Sequence, residues 1–264
     1  MIIDSNVLIG NWPFRRLPYT DPGELRKVLS DEGITRAVAG SLDAVFFRDV
    51  QDGNEMLYKA VARHRDFFTP AATINPTYAL WEKDYKQAIE EGAAAIRVYP
   101  EYQNWDILDH SAFELYEACR KDKLPIILTA EIEDIRQRHF MDNPRDWLGG
   151  EVRQLIEQID GLKVLVVNAR ADRMREIALT LPSQKRKQVF FDISAVWGPF
   201  VDDIALCVNQ IGVAQFVFGS HAALKTPETA VMKLKISQIT EQDKKQIFTE
   251  NIKQIMPRLV SCHA

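Results

Sequence analysis

The feature that most constrains this chain is an alternation repeated eight times: a short apolar, β-branched run, then a segment with helical periodicity. The runs begin near Met1, Ala37, Thr69, Ala94, Pro125, Lys163, Val189 and Ala214, a mean pitch of about 30 residues, the size of one βαβ unit. Several runs are apolar on both faces (Ile126-Ile127-Leu128, Val164-Leu165-Val166-Val167, Phe216-Val217-Phe218), as strands of a parallel sheet covered on both sides must be. Between them, Leu25, Val28 and Leu29 follow the cap signal Asp21-Pro22. Leu57, Ala60, Val61 and His64 fall at helical spacing, as do Ala112, Leu115, Tyr116 and Cys119 behind a cap at Ser111, and Val152, Leu155, Ile156 and Ile159 before Gly161. Eight such units predict a (β/α)8 barrel. The alternative is a doubly wound open sheet, which has fewer strands and a phosphate-binding glycine loop after the first one; Gly10 alone does not make that loop. A further helix is expected from the cap Thr240 through Ile247, Phe248, Ile252 and Ile255 to Pro257, packed across the barrel wall. No linker or low-complexity tract interrupts the pattern, so residues 1–264 read as one barrel domain with its core ending about 257.

Composition narrows the chemistry. Among 264 residues, 33 Lys+Arg face 37 Asp+Glu, a net charge of −4, so no broad basic field exists to neutralise phosphates. Nucleic acid and anionic membrane surfaces are therefore not expected partners, and no apolar stretch approaches the roughly 18–20 residues that span a bilayer. The opening Met1-Ile2-Ile3-Asp4 carries no basic leader, and Cys119, Cys207 and Cys262 are odd in number and widely spaced. Reduced thiols in a cytoplasmic protein are the expectation.

In a barrel of this kind, chemistry belongs to the loops that follow the strands. The first, residues 11–19, mixes Trp12 and Phe14 with Arg15 and Arg16. The fourth contains Tyr102, Trp105 and His110. The fifth runs from Glu131 to about Gly149 and holds Glu133, Asp134, Arg136, Arg138, His139 and Asp142. At about 19 residues it is far longer than the usual 2–6 and reads as a lid, or as a solvated loop packing a neighbouring subunit in a homodimer. His110, His139 and His221 map to this face; His64 and His263 fall on a helix and the tail. His221 follows Phe216-Val217-Phe218-Gly219-Ser220 at a strand terminus, where an imidazole can exchange protons.

These residues resemble the amidohydrolase superfamily, in particular its amidohydrolase-related branch with the aminocarboxymuconate-semialdehyde decarboxylase type of enzyme. Ile3-Asp4-Ser5-Asn6-Val7-Leu8-Ile9-Gly10 is similar to that family's IDxHxHxG strand. Asn54-Glu55 with Asn75-Pro76, Gly92 through Ile96-Arg97-Val98-Tyr99-Pro100, Leu124-Pro125-Ile126-Ile127 and Phe191-Asp192-Ile193-Ser194 resemble its later segments in order. Gly212 to Phe218-Gly219-Ser220-His221 resembles GxDRxxFGSDxP, and the tail resembles the family's closing stretch. The resemblance implies a barrel enzyme of hydrolase or C–C lyase type. The family's metal ligands, however, fall on Asn6 and Leu8 in the first strand, Thr129, Asn168 and His221. Neutral amide and hydroxyl oxygens hold Zn2+ poorly, so no metal cofactor is expected, although Zn would be the family's choice.

The replacements stay polar, Leu8 excepted, and buried polar groups need partners worth about 1–3 kcal/mol each. The sequence therefore predicts a metal-independent enzyme for a small, carboxylated organic molecule, hydrolysis ranking before carbon–carbon lysis. His221 is expected as general acid or base, with Asp192, Glu133 or Asp134 as proton partner. Arg97 is expected to hold the substrate carboxylate, or else to neutralise Asp4 or Asp192. Asn6 and Asn168 would orient a water or carbonyl oxygen, and Trp12, Arg15, Tyr99, Thr129 and His139 would line the substrate. Two alternatives stand beside it: a catalytically silent ligand-binding barrel whose polar ring satisfies itself, and a relocated metal site built from His110, His139 and His221.

Overall fold

The computed structural model describes residues 1–145, 149–196 and 202–261. Its eight strands lie in sequence order in one parallel sheet: β1 (Ile2–Ile9), β2 (Ile34–Ser41), β3 (Phe68–Thr73), β4 (Ala95–Val98), β5 (Ile126–Thr129), β6 (Val164–Val167), β7 (Val189–Asp192) and β8 (Phe216–Val217). Every strand starts within three residues of the position read from the sequence. The last strand returns to the first: Ser5 N–H donates to the Phe218 carbonyl and His221 N–H to the Asn6 carbonyl, both at 2.9 Å, and a parallel bridge joins Val7 to Ala222. Closure removes the sheet edges that an open sheet would expose.

Strand alternation divides the core in two. Ile126, Leu128, Val164, Val166, Val189 and Phe191 pack outward among the helix residues Leu115, Leu155, Ile156 and Ile177. Their neighbours Ile127, Leu165, Val167 and Phe190 form a second cluster with Ile3, Val38, Ala71, Ala95 and Val217, the barrel interior. Helix starts obey simple chemistry. Asp21 Oδ1 accepts from Gly23 and Glu24 N–H at 2.8 and 3.0 Å ahead of Pro22–Asp31. The expected cap at Ser111 is displaced: the helix is His110–Lys121, and Asp109 stands at its N-terminus, where its own carboxylate instead accepts from Asp106 N–H.

The C-terminal helical run (Glu241–Lys245, Gln246–Glu250, Asn251–Ile255) corrects another expectation. It closes the bottom of the barrel and does not lie across the wall: Ile252, Ile255, Met256 and Leu259 complete the interior cluster. Its polar groups hold the N-terminal ends of strands, Thr249 Oγ1 on the Met1 carbonyl at 2.6 Å and Asn251 Nδ2 on the Phe216 carbonyl at 2.8 Å. The π turn Gln246–Glu250 frees the Ile247 carbonyl, which accepts from Phe218 N–H at 2.9 Å. With hydrocarbon below, the inward positions turn polar only near the opposite end: Ala95 gives way to Arg97, Ile127 to Thr129, Phe190 to Asp192. Cys262 and His263 lie outside the described residues.

Candidate active site

Three local devices build the polar end of the barrel. The β1–β2 register shifts between Asp4 and Val7, and Asp4 Oδ1 anchors that irregularity by accepting from Asn6 N–H and Ser220 N–H, each at 3.0 Å. Gly219 is needed because a Cβ there would sit 2.5 Å from Asp192 Oδ2. Asn168 and His221 take left-handed backbone conformations (φ 57° and 61°), rare for side-chain-bearing residues and a strain held by the surrounding structure.

These devices bring Asn6, Asn168, Asp192, Ser194 and His221 into one buried network. Asn6 Nδ2 donates to Asp192 Oδ2 at 2.8 Å, and Asn6 Oδ1 accepts from Arg97 Nη2 at 3.0 Å. Asp192 Oδ1 accepts from Asn168 N–H at 2.8 Å and from Ser194 Oγ at 3.0 Å. Ser194 Oγ also bonds Asn168 Oδ1. His221 Nε2 lies 2.7 Å from the Ile132 carbonyl, which can only accept, so Nε2 carries the proton. Its Nδ1 then accepts from the Asn168 amide at 2.8 Å. Among the described residues, Arg97 hydrogen-bonds Asn6 and neither Asp4 nor Asp192.

Burial dominates the charges here. It pushes the His221 imidazole well below its usual range, helped by the positive charges of Lys225, Arg97 and Arg15, so the ring is neutral. It raises the Asp192 carboxyl, although Asn168, Asn6 and Ser194 donate to it, and lifts Asp4 to about 7. Asn6, Asn168, Asp192, Ser194 and His221 thus satisfy one another across the barrel axis, whereas Asp4 Oδ2 and Arg97 Nε and Nη1 are buried there without a hydrogen-bond partner among the described residues.

The fifth loop lies over this network. Glu133, buried, pairs with Arg15 from the first loop, and Arg15 Nη2 reaches the Leu224 carbonyl at 2.8 Å. His139 is exposed and stacks on Phe14 with ring centroids 5.3 Å apart. Phe14 in turn meets Trp12 at 5.4 Å, and Trp12 meets Tyr102 at 6.3 Å. Tyr99 and Thr129 are buried side by side beneath this aromatic clasp, with the Tyr99 hydroxyl beside Arg97. Asp134 is held by Arg136 through two oxygens at 2.9 and 2.6 Å, which keeps its carboxyl at about 2. His110 begins an exposed helix end, and among the described residues no three His, Cys, Asp or Glu side chains converge as metal ligands, so the relocated site is not formed.

Space for a ligand lies beside the axis. A cavity of about 310 Å3 opens between the fifth loop and the ends of β6, β7 and β8, where Asn168 and Ser194 face Glu131, Arg170, Lys225 and Lys233. Burial raises the Glu131 carboxyl, with Arg170 opposing at 3.9 Å. Sequence reasoning missed these four residues. Glu131, Arg170 and Lys225 lie two to four residues beyond a recognised strand end or motif, and Lys233 sits within the helix Pro227–Ile236; only the tertiary structure aims them at a common space.

The positions assigned to the family's metal ligands do not fit a divalent ion. Leu8 is apolar, the Arg97 guanidinium sits on the Asn6 amide oxygen, and both His221 nitrogens are engaged. A fixed cation bonded to the first would-be ligand opposes a second one.

No family model matches the chain, and no curated protein matches it in sequence. Solved structures do. A 5-carboxyvanillate decarboxylase from Sphingomonas paucimobilis superimposes with a TM-score of 0.71 at 12% identity, over 97% of this chain and 98% of that one. A 2,6-dihydroxybenzoate decarboxylase from Rhizobium gives 0.72 at 13% identity, over 97% and 98%. A dihydroxybenzoic acid decarboxylase from Polaromonas sp. JS666, solved with manganese and 2-nitroresorcinol, gives 0.71 at 14% identity, over 97% and 96%. This chain has the same barrel fold.

Proposed function

We propose that this chain is an enzyme of the amidohydrolase-like barrel type that cleaves a small carboxylated molecule, by carbon–carbon lysis first and hydrolysis second, without a divalent metal. One observation carries the reading: the cavity at the ends of β6–β8 sets the Arg170 guanidinium and the Lys225 side chain beside the raised carboxyl of Glu131, against a rigid wall of Asn168 and Ser194. Arg170 would receive a carboxylate, its present partners Glu131 and Asp172 being distant at 3.9 and 3.8 Å. Glu131, protonated more readily than an ordinary glutamate, would pass the proton. Asn168 and Ser194 would orient the substrate oxygen, and His221, neutral and spent on Asn168 and Ile132, would fix that wall as a positioning residue. The decarboxylase names of the structural relatives support a carboxylated substrate, and the donor set at the axis supports chemistry without the manganese found in one of them.

The test is release of carbon dioxide or ring-opened product from a panel of hydroxybenzoates, pyrone carboxylates and oxo acids. It is run on chelator-dialysed protein, with and without added Mn2+ or Zn2+. Turnover indifferent to both treatments is expected; turnover that appears only with metal refutes the reading. The self-satisfied ring favours a second reading, a silent binding protein, which predicts that one of these acids raises the melting temperature with no product formed.

A further inference from the structure

Cleaving a carboxylate from carbon leaves an electron pair that needs a sink, and the axial side chains do not suit a divalent ion that could provide one. The cavity does hold a candidate. We propose that the Lys225 amine is a covalent catalyst: it condenses with the carbonyl of a small 3-oxo acid seated in the cavity, and the resulting iminium accepts the electrons released as carbon dioxide leaves. This rests on the cavity being the substrate site.

The two lysines of the cavity are held very differently. Lys233 is caged: its ammonium donates to the carbonyls of Ile193, Ser194 and Val196 at 3.3, 3.2 and 2.9 Å, tying down the turn after β7. Three acceptors match its three N–H donors, so it is a structural cation. Lys225 has one acceptor among the described residues, the Ser194 carbonyl at 3.3 Å. Its side chain borders both the 310 Å3 cavity and an adjoining one of about 240 Å3.

Its surroundings also favour the neutral amine. Burial pushes the Lys225 ammonium below the usual lysine range, while Asp192, Glu131 and Asp134 offset part of that. The caged Lys233 stands close enough for the two charges to repel, and Lys233 itself is pushed down to about 8, by burial first and Lys225 second. Lys225 also lies two residues before Pro227, the first residue of the helix Pro227–Ile236, whose positive end disfavours a further cation. Glu131 on the same cavity supplies the acid that dehydration of the adduct requires.

The steps balance. The amine nitrogen attacks the ketone carbon, a C–N bond forms, and the oxygen leaves as water, taking one proton from the amine nitrogen and one from Glu131. The C–C bond to the carboxylate then breaks, carbon dioxide leaves, and its electron pair passes through the iminium to nitrogen. Protonation of the enamine carbon and hydrolysis return the amine and release a ketone. No oxidant or reductant takes part.

Acetoacetate and oxaloacetate with cyanoborohydride, followed by peptide mass spectrometry, test the proposal on the full chain. The expected result is a reduced adduct on Lys225 well above surface lysines such as Lys27 and Lys86, and loss of 3-oxo acid decarboxylation by about 10²–10⁴-fold in Lys225→Met. Absence of the adduct, or an adduct spread evenly over surface lysines, overturns it. A melting shift with 2,6-dihydroxybenzoate, measured on wild type and Lys225→Met, separates the two failures. A shift in both proteins without an adduct leaves the cavity as the acid site and removes the amine chemistry; no shift and no adduct remove both. If Lys225→Met does not fold, the location of the adduct in the wild type still decides.

Discussion

Asp4→Asn tests the electrostatics of the barrel end. Asp4 is fully buried; its Oδ1 accepts two backbone N–H groups, while its Oδ2 has no hydrogen-bond partner among the described residues. Burial raises its carboxyl from 3.8 to about 7. Between those values the folded chain keeps a proton that the unfolded chain has lost, so stability falls as pH rises through the window. The full contribution is present below the unfolded value and gone above the folded one. A shift of about 3 units at 1.36 kcal/mol per unit is worth about 4 kcal/mol. Asparagine keeps an oxygen for both N–H donors and does not titrate. Its new N–H2 stands where Oδ2 has no partner, a constant cost of about 1–3 kcal/mol. Urea unfolding of both proteins at steps from pH 4.5 to 8.5 isolates the pH-dependent part, because the other titrating groups cancel in the difference. The variant minus wild-type stability is expected to climb by about 3 kcal/mol up to pH 7.5 and then level off. A flat difference would refute the buried-carboxyl reasoning whatever its absolute size.

Three other outcomes follow from named contacts. Gly219→Ala places a methyl 2.5 Å from Asp192 Oδ2 and is expected to cost about 3 kcal/mol or more by chemical denaturation; a wild-type midpoint would contradict the close approach. The His221 ring is expected to remain the neutral Nε2–H tautomer from pH 8 to 5, seen as two unchanged ring-nitrogen shifts, since burial holds its pKa well below 6.5. A merging of the shifts near pH 6.5 would show a solvated histidine. His139→Ala removes the stack on Phe14 and is expected to cost about 0.5–1.5 kcal/mol, read as faster amide exchange in residues 131–145 with the barrel strands unchanged.

Much of the fold was legible because it rests on local chemistry. Apolar runs such as Val164–Val167 and the Asp21-Pro22 cap declare themselves within a few residues, and the spacing of eight such units leaves little besides a barrel. The polar ring was legible in part: Asn6, Asn168, Asp192 and His221 do meet. Their state was not. Whether an imidazole faces solvent or a carbonyl depends on the Ile132 backbone, which the fifth loop delivers from 89 residues away in sequence. The displaced cap at Asp109 and the C-terminal plug were misread for a related reason: apolar spacing identifies a buried face but not the surface that buries it.

The sequence by itself determined the barrel, the end that carries polar groups, and the identity of the residues at the would-be ligand positions, since periodicity and composition are properties of neighbours along the chain. Only the tertiary structure decided which of those groups spend their hydrogen bonds on each other and which remain for a ligand. That allocation depends on angles and distances among strands far apart in sequence. It turned His221 into a fixed wall and put Lys225, an unremarked lysine in a turn, at the open space.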